Sequence, residues 1–314
     1  MAKHPPPTPP PPGSASARPR APPRRSRGAI RWRPTSGRGS VESLSYQTVL
    51  VDQDKGVATV TLNRPDRLNT FNRQQSTDLA DALLRLDRAD DVRCIVVTGA
   101  GRAFCAGVDL DGGLPQGGED EQAWRRAQTM ATLRTWEMRT PIIAAINGAA
   151  VGMGLTYPIC WDIRVAAEDA KLGFVFTRRG LTPEGNSLWL LPRLVGVSVA
   201  LELLLTGRIF SGREAAEMGL VTRAVPREEV VPASVELARE IAEQTAPASV
   251  AITKKLFYRY LESTDRRSAK SEELEMFRWA LEQADAAEGM AAFREKRLPN
   301  WTDVGIDDLP AGLR

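Results

Sequence analysis

The chain has 314 residues, 42% of them hydrophobic and 26% charged, with a formal net charge of +3. This composition is typical of a soluble globular protein, and no apolar run approaches the roughly eighteen residues of a membrane-spanning helix. The net charge hides an asymmetry, because residues 1–40 hold nine Lys and Arg and no acidic residue. The remainder therefore carries 33 basic and 39 acidic side chains, which argues against a nucleic-acid groove.

The three cysteines are Cys94, Cys105 and Cys160, and their spacing does not match a metal site. They predict reduced thiols and a cytoplasmic protein, and they argue against a disulfide framework. The only histidine is His4, so a Ser-His catalytic triad is excluded.

The first forty residues form a low-complexity segment. Residues 5–12 contain seven prolines, and residues 18–38 are rich in arginine, glycine and serine. Such a segment cannot bury enough apolar surface to offset its ordering entropy, so we predict a disordered tail over 1–40. A translation start placed too far upstream and an organellar transit peptide are the alternatives, although the proline block lacks the apolar residues of an amphipathic transit helix.

Strands and helices alternate along the next part of the chain. Alternating apolar residues predict a half-buried strand over 57–62, and apolar residues at helical spacing predict a helix over 73–87. Further strands are expected in the apolar runs 94–97, 141–146 and 163–166. Strands followed by helices favour the α/β class.

The second half of the chain is predicted to be mostly helical. Ser211 and Glu214 are spaced as a capping box that opens a helix ending at Met218. The glycine- and acid-rich segment 111–120 is expected to be a lid loop. The other expected helices cover 124–139, two pieces within 187–207 broken near Pro192 and Gly196, and then 226–244, 247–261 and 270–292.

Two glycine turns carry the chemistry. Residues 98–110 read TGAGRAFCAGVDL, and residues 144–155 read AAINGAAVGMGL. In each, an apolar strand runs into a glycine turn, and in the second a helix follows at once. The start of a helix presents backbone N–H groups, and the helix dipole favours negative charge there. N–H groups from two such turns can form an oxyanion hole for an acyl carbonyl, whereas one glycine motif alone would indicate nothing.

The two motifs, with a carboxylate downstream in LTPEG, resemble the crotonase superfamily, which is the enoyl-CoA hydratase/isomerase family. The resemblance covers about residues 45–301. It implies an α/β, crotonase-like ββα spiral core over 45–245 and a C-terminal helical trimerisation region over 246–314. It also implies an acyl-CoA thioester as substrate, no cofactor apart from the coenzyme A of that thioester, no metal or membrane partner, and a homotrimer or hexamer.

The resemblance assigns the binding residues as well. It places the thioester carbonyl between the backbone N–H groups of Val108 and Met153. The rest of these turns contributes Ala106, Gly107, Asp109 and Gly152, with Asp109 also expected to cap a following helix. Coenzyme A would contact the backbone around Arg67 and Leu68 in NRPDRLN, and Phe293 and Lys296 in AFREKR would reach the coenzyme A of a neighbouring subunit.

The carboxylates separate two reactions within the family. Hydratases of the family carry two glutamates where this chain has Thr156 and Phe176. Glu184 instead matches the sole base of the peroxisomal-type 3-enoyl-CoA to 2-enoyl-CoA isomerases. One carboxylate suffices there, because it takes a proton from C2 and returns it at C4. The resemblance therefore favours isomerisation by Glu184, and the alternatives are a hydratase with an atypical acid set or a non-catalytic acyl-CoA-binding protein.

The surroundings of these motifs add smaller expectations. Burial of Glu184 among Phe174, Phe176 and Trp189 is expected to raise its pKa, although Pro-Glu-Gly is also good chemistry for a surface turn. Pro158 should shorten the helix after Met153. Cys105 is expected to be a packed residue, and Asp162 a structural carboxylate at the entry to a strand.

Overall fold

Within the described residues of the computed structural model, which are 45–111, 122, 135–302 and 306–313, the chain forms two β-sheets covered by helices. The predicted tail, residues 112–120 of the predicted lid loop and most of the helix predicted over 124–139 lie outside these residues. The strands are β1 (Val49–Asp54), β2 (Val57–Leu62), β3 (Cys94–Gly99), β4 (Ala103–Cys105), β5 (Ile142–Ile146), β6 (Ala149–Val151), β7 (Ile163–Ala167), β8 (Leu172–Gly173) and β9 (Arg223–Val225).

Nine α-helices accompany these strands in the same part of the chain. They are α1 (Arg73–Arg88), α2 (Met153–Ile159), α3 (Ser187–Val195), α4 (Val197–Thr206), α5 (Gly212–Glu217), α6 (Val230–Gln244), α7 (Pro247–Leu261), α8 (Arg266–Leu281) and α9 (Ala284–Glu295). Among the residues described, no helix combines the length and the apolarity needed to cross a membrane.

The larger sheet has the strand order β1-β2-β3-β5-β7-β9. Its first two strands form an antiparallel hairpin, and every later pair is parallel. Every residue of β3 and β5 is buried, as expected for central parallel strands that are covered on both faces. The sequence predictions for the cores of β2, β3, β5 and β7 are therefore confirmed, with ends shifted by no more than two residues.

The smaller sheet consists of three very short parallel strands in the order β4-β6-β8. Each of the first two carries one of the glycine motifs at its end. Sequence patterns predicted turns here and no strands, because runs of two or three residues are too short to show a period.

The helical predictions are mostly confirmed, including the capping box, in which both the Ser211 and the Glu214 side chains bond the backbone. Pro158 lies inside the seven-residue helix α2, close to its end, as expected. The break between α3 and α4 lies at Gly196, whereas Pro192 is accommodated within α3.

Two helical predictions are wrong. The single helix expected over 270–292 is two helices, α8 and α9, separated at Gln283, which has an extended backbone. The extended Gln283 backbone interrupts the helical hydrogen bonds, and buried Asp285 in α9 accepts a hydrogen bond from the Thr302 N–H at 2.9 Å, which anchors the second helix. The C-terminal end of the helix predicted over 124–139 is also wrong, because a 3₁₀ turn ends at Glu137 and the buried Arg139 guanidinium donates to carbonyls at the end of α1.

The C-terminal helices are tied to the larger sheet by one buried ion pair. Lys254 Nζ on α7 lies 2.7 Å from Asp162 Oδ2 and 2.9 Å from the Thr140 carbonyl oxygen. The same Asp162 oxygen accepts the Ile142 N–H at 2.7 Å. Asp162 is thus the structural carboxylate that the sequence predicts, at the entry to both β5 and β7.

Candidate active site

The two glycine turns lie against each other, because β4 and β6 are neighbouring parallel strands. A Cβ atom at Gly154 would lie 2.0 Å from the Cys105 carbonyl oxygen, and one at Gly107 would lie 3.0 Å from the Val151 carbonyl oxygen. Gly107 also has a φ of +103°, which L side chains rarely adopt. Glycine at these positions therefore allows the backbones of the two turns to approach closely.

Met153 is the first residue of α2 and follows Gly152, whose φ of +56° turns the chain from β6 into the helix. The Gly152 N–H donates to the Gly173 carbonyl at 2.9 Å, which fixes the turn against β8. N–H groups in the first turn of a helix point beyond its N-terminal end. Because α2 has only seven residues, its helix dipole is small.

Val108 is held by a parallel bridge to Phe71. Phe71 N–H donates to the Gly107 carbonyl at 2.7 Å, and Asp109 N–H donates to the Phe71 carbonyl at 2.9 Å. In such a bridge the two residues flanking Val108 face Phe71, so the Val108 N–H points to the opposite side of the strand.

The predicted coenzyme A loop is attached directly to this turn. The Leu68 carbonyl accepts the Ala106 N–H at 3.0 Å. Fully buried Asn69 holds the loop from within, because its Nδ2 donates to the Ala100 and Ala103 carbonyls and its Oδ1 accepts the Arg64 N–H, each at 2.9 Å. Sequence reasoning missed this role. The available signal was that asparagine tolerates the left-handed backbone seen here, with a φ of 55°.

Asp109 forms an ion pair that the sequence did not indicate. Its Oδ2 lies 2.6 Å from Arg64 Nη2, and both side chains are mostly buried. The Arg64 guanidinium lowers the pKa of Asp109, so the carboxylate stays ionised. Asp109 also accepts the Asp111 N–H, but Leu110 and Asp111 are not helical, so the expectation that Asp109 caps a helix directly after it is wrong. The Arg67 side chain, by contrast, is exposed and pairs with Asp111 at the surface.

Glu184 is partly buried in the turn that precedes α3. Its Oε1 accepts a 2.6 Å hydrogen bond from the Thr156 hydroxyl on α2. The Ser187 hydroxyl donates to the Glu184 carbonyl at 2.6 Å, which fixes the turn. Burial raises the pKa of the Glu184 carboxyl, and the Thr156 hydrogen bond opposes that rise. The predicted direction of the pKa shift is confirmed.

The three aromatic residues expected to bury Glu184 make contacts with other parts of the chain. Phe174 packs with Phe210, and Trp189 lies under the Arg193 guanidinium, 3.7 Å from the ring centroid. Phe176 lies beside the second glycine turn, where its Cζ would be 3.9 Å from a Cβ at Gly152. The ring therefore occupies part of the space beside the predicted oxyanion donor.

Helix α2 connects the parts of the site. It begins at Met153, and one turn later it presents Thr156 to Glu184. Next along the helix, the ring of Tyr157 packs on Phe71 with centroids 4.5 Å apart. At the other end, buried Arg164 donates to the Pro158 and Trp161 carbonyls. These carbonyls lie at the C-terminal end of the helix, where positive charge is favoured. The helix is thus held at both ends.

Other candidate groups take no part in this arrangement. Burial raises the pKa of Cys105 to about 12, which keeps it a thiol and confirms that it is a packed residue. Phe293 and Lys296 lie at the end of α9, where the Phe293 ring is 84% exposed. Their contact with a neighbouring subunit stays a prediction. Among the residues described, no group of three His, Cys, Asp or Glu side chains could hold a metal ion.

An α/β fold with two facing glycine turns, and the loop of Arg67 and Leu68 attached to the first of them, is typical of the acyl-CoA enzymes with the crotonase fold. Residues 52–304 match the family described as enoyl-CoA hydratase/isomerase. The chain belongs to this family, and an acyl-CoA thioester is the substrate that the family implies.

Relatives with similar sequences carry more than one reaction in their names. The chain is 36% identical to enoyl-CoA hydratase ACTT3 of Alternaria alternata, over 88% of this chain and 94% of that protein. It is 35% identical to 1,2-epoxyphenylacetyl-CoA isomerase of Escherichia coli, over 81% and 98% of the two chains. A probable enoyl-CoA hydratase/isomerase from Mycobacterium abscessus, 35% identical, superposes with a TM-score of 0.75 over 82% of this chain and 99% of that one.

Proposed function

We propose that this protein is an enoyl-CoA isomerase that shifts the double bond of a 3-enoyl-CoA to give a 2-enoyl-CoA. The observation that carries the proposal is the position of Glu184. This single carboxylate is partly buried, has a raised pKa and contacts the helix that begins at the predicted oxyanion donor.

In the proposed mechanism the thioester oxygen accepts hydrogen bonds from the Val108 and Met153 N–H groups. Glu184 removes a proton from C2, and the electron pair moves into a dienolate whose negative oxygen the two N–H groups stabilise. The protonated Glu184 then returns the proton at C4, and the double bond forms between C2 and C3. A carboxyl with a raised pKa suits both steps, because it must act first as base and then as acid.

Hydration is the second candidate, and two features favour it. Several similar proteins are named enoyl-CoA hydratases, and the Thr156 hydroxyl beside Glu184 could hold a water molecule. Against it, hydration uses one group to activate the water and another to protonate the α-carbon. This chain has the hydroxyl of Thr156 and the ring of Phe176 where family hydratases have carboxylates.

The two candidates are separated by supplying purified protein with 3-enoyl-CoA and with 2-enoyl-CoA in separate assays. We expect conversion of 3-enoyl-CoA to 2-enoyl-CoA, with little 3-hydroxyacyl-CoA formed from 2-enoyl-CoA. Rapid hydration of 2-enoyl-CoA without turnover of 3-enoyl-CoA would overturn the isomerase proposal. Tight binding of both thioesters with no turnover of either would indicate a binding protein.

We also propose that the protein works as a trimer or a pair of trimers. In each subunit the backbone at Arg67 and Leu68 contacts the adenine of the coenzyme A bound there, while Phe293 and Lys296 reach the coenzyme A of a neighbouring subunit. The exposure of large apolar side chains on the C-terminal helices supports this, since Phe257, Phe277 and Phe293 are 59%, 62% and 84% exposed. A monomer in light scattering at micromolar concentration would contradict it.

A further inference from the structure

We infer that Thr156 is the positioning residue of the proton shuttle, because its hydroxyl holds one oxygen of Glu184 and leaves the other oxygen to meet the substrate. This inference rests on the proposed function, in which Glu184 moves the proton. It gives a role to Thr156, which stands where family hydratases carry a carboxylate. The threonine hydroxyl has too little basicity to act as the base itself.

The direction of the hydrogen bond follows from distances. A hydroxyl has one proton, and the Thr156 hydroxyl has two acceptors in range, Glu184 Oε1 at 2.6 Å and the Met153 carbonyl at 3.4 Å. The shorter contact, to a carboxylate, is much the stronger. Ionised Glu184 can only accept, so Thr156 donates to it. Within the described residues, no hydrogen bond reaches Oε2.

Thr156 itself has little freedom to move. It is fully buried, its N–H donates to the Gly152 carbonyl at 3.0 Å, and it lies on a helix held at both ends. The Glu184 turn packs tightly on it, because a Cβ at Gly185 would lie 2.9 Å from both Thr156 Cβ and Oγ1. A donor that is fixed in this way fixes the carboxylate it binds.

The hydrogen bond also adjusts the chemistry of the carboxylate. Burial alone favours the protonated form, whereas a donor to the ionised form favours the base. The Thr156 hydroxyl therefore lowers the pKa of the buried Glu184 carboxyl and favours the ionised form that the first proton transfer needs. The helix that supplies the Met153 N–H thus also orients the base, one turn further along.

The test compares Thr156→Val, which keeps the shape and removes the hydroxyl, with Thr156→Ser, which keeps the hydroxyl. For Thr156→Val we expect kcat on 3-enoyl-CoA to fall about tenfold or more at neutral pH, because hydrogen bonds to charged groups are worth at least that factor. KM should change little, and in the pH profile of kcat/KM the apparent pKa on the acid side should move to higher pH. Thr156→Ser should return this apparent pKa to its wild-type value.

A titration that does not depend on turnover separates this inference from the proposed function. The Glu184 carboxyl carbon is identified by ¹³C NMR as the signal lost in Glu184→Gln, and its pKa is compared in wild type, Thr156→Val and Thr156→Ser. A higher pKa in the valine variant, reversed by serine, supports the inference. An unchanged pKa overturns it, even if Glu184→Gln abolishes turnover.

Normal turnover by Glu184→Gln would instead overturn the proposed function. If Thr156→Val does not fold, Thr156→Ala carries the same comparison, because it removes the hydroxyl and adds no volume.

Discussion

At the scale of single residues, Glu184 is subject to two opposing influences. Burial raises the pKa of its carboxyl, and the Thr156 hydroxyl lowers it, with burial the larger effect. The net shift is upward from an ordinary value of 4.5. The ionised form of Glu184, relative to the protonated form, is therefore less stable in the folded protein than in the unfolded chain. This is expected for a group that serves chemistry and not stability.

The upward shift makes a prediction about stability and pH. A carboxyl whose pKa is higher in the folded state contributes stability below its unfolded pKa and loses it as pH rises through the folded pKa. Glu184→Gln cannot ionise, so its melting temperature should exceed that of the wild type at pH 8, and the difference should shrink towards pH 4. Thermal melts of both proteins over this range measure it.

The matched control for that experiment is Glu228→Gln, which changes an exposed glutamate. Its melting temperature should stay close to that of the wild type over the same pH range. A wild type that is more stable than Glu184→Gln at pH 8 would show that ionised Glu184 stabilises the fold, contrary to its raised pKa.

At the scale of elements, the site depends on the close approach of the two glycine turns. Their sequence motifs were sufficient to predict a pair of adjacent backbone donors. The sheet that brings them together was not predictable, because β4, β6 and β8 contain only two or three residues each. Likewise, no glycine or proline marks the break between α8 and α9, where the Gln283 backbone is extended.

Gly154→Ala tests this approach directly. The new Cβ would lie 2.0 Å from the Cys105 carbonyl oxygen, so the two turns must move apart. We expect a loss of about 3 kcal/mol or more in the free energy of unfolding, at or above the upper end for overpacked cores. Turnover should also fall sharply, since the donors must lie about 2.7–3.1 Å from the oxyanion, a narrow range that the separated turns would not keep.

Chemical denaturation and steady-state kinetics of the purified variant would measure both effects. Gly312→Ala serves as control, because a Cβ there meets no atom within 4 Å and its φ is not positive. Wild-type stability and activity for Gly154→Ala would show that the turns do not need to be in contact.

At the scale of the whole molecule, the C-terminal helices and the sheet are joined by the Lys254–Asp162 pair. The sequence placed the helix correctly over 247–261 but gave no reason to expect a buried lysine within it. Periodicity shows which face of a helix is apolar, but it does not show that the Asp162 carboxylate lies opposite that helix, at the entry to β7. The bonds from Asn69 to the Ala100 and Ala103 carbonyls and the Arg64–Asp109 ion pair escaped prediction for the same reason, since those partners are distant along the chain.

Lys254→Met should therefore destabilise the protein strongly. Methionine fills the space of the lysine stem but leaves the Asp162 carboxylate, which is only 16% exposed, without its cation. Removing one partner of a buried pair typically costs about 3–5 kcal/mol. Urea denaturation measures it, with the exposed Lys270→Met as the control that should change stability by less than about 0.5 kcal/mol. A small effect of Lys254→Met would mean that solvent already screens this pair.

The measurement that tests the account most directly is the turnover of 3-enoyl-CoA by Glu184→Gln. Glutamine keeps the shape and can still accept the Thr156 hydrogen bond, but it has no basic oxygen. General acid–base catalysis by one group is typically worth about 10²–10⁴-fold. We predict that kcat falls at least about a hundredfold while acyl-CoA affinity, measured by direct binding, changes little. Near-normal kcat in this variant would contradict the proposal that Glu184 transfers the proton, and would show that Glu184 is only a turn residue.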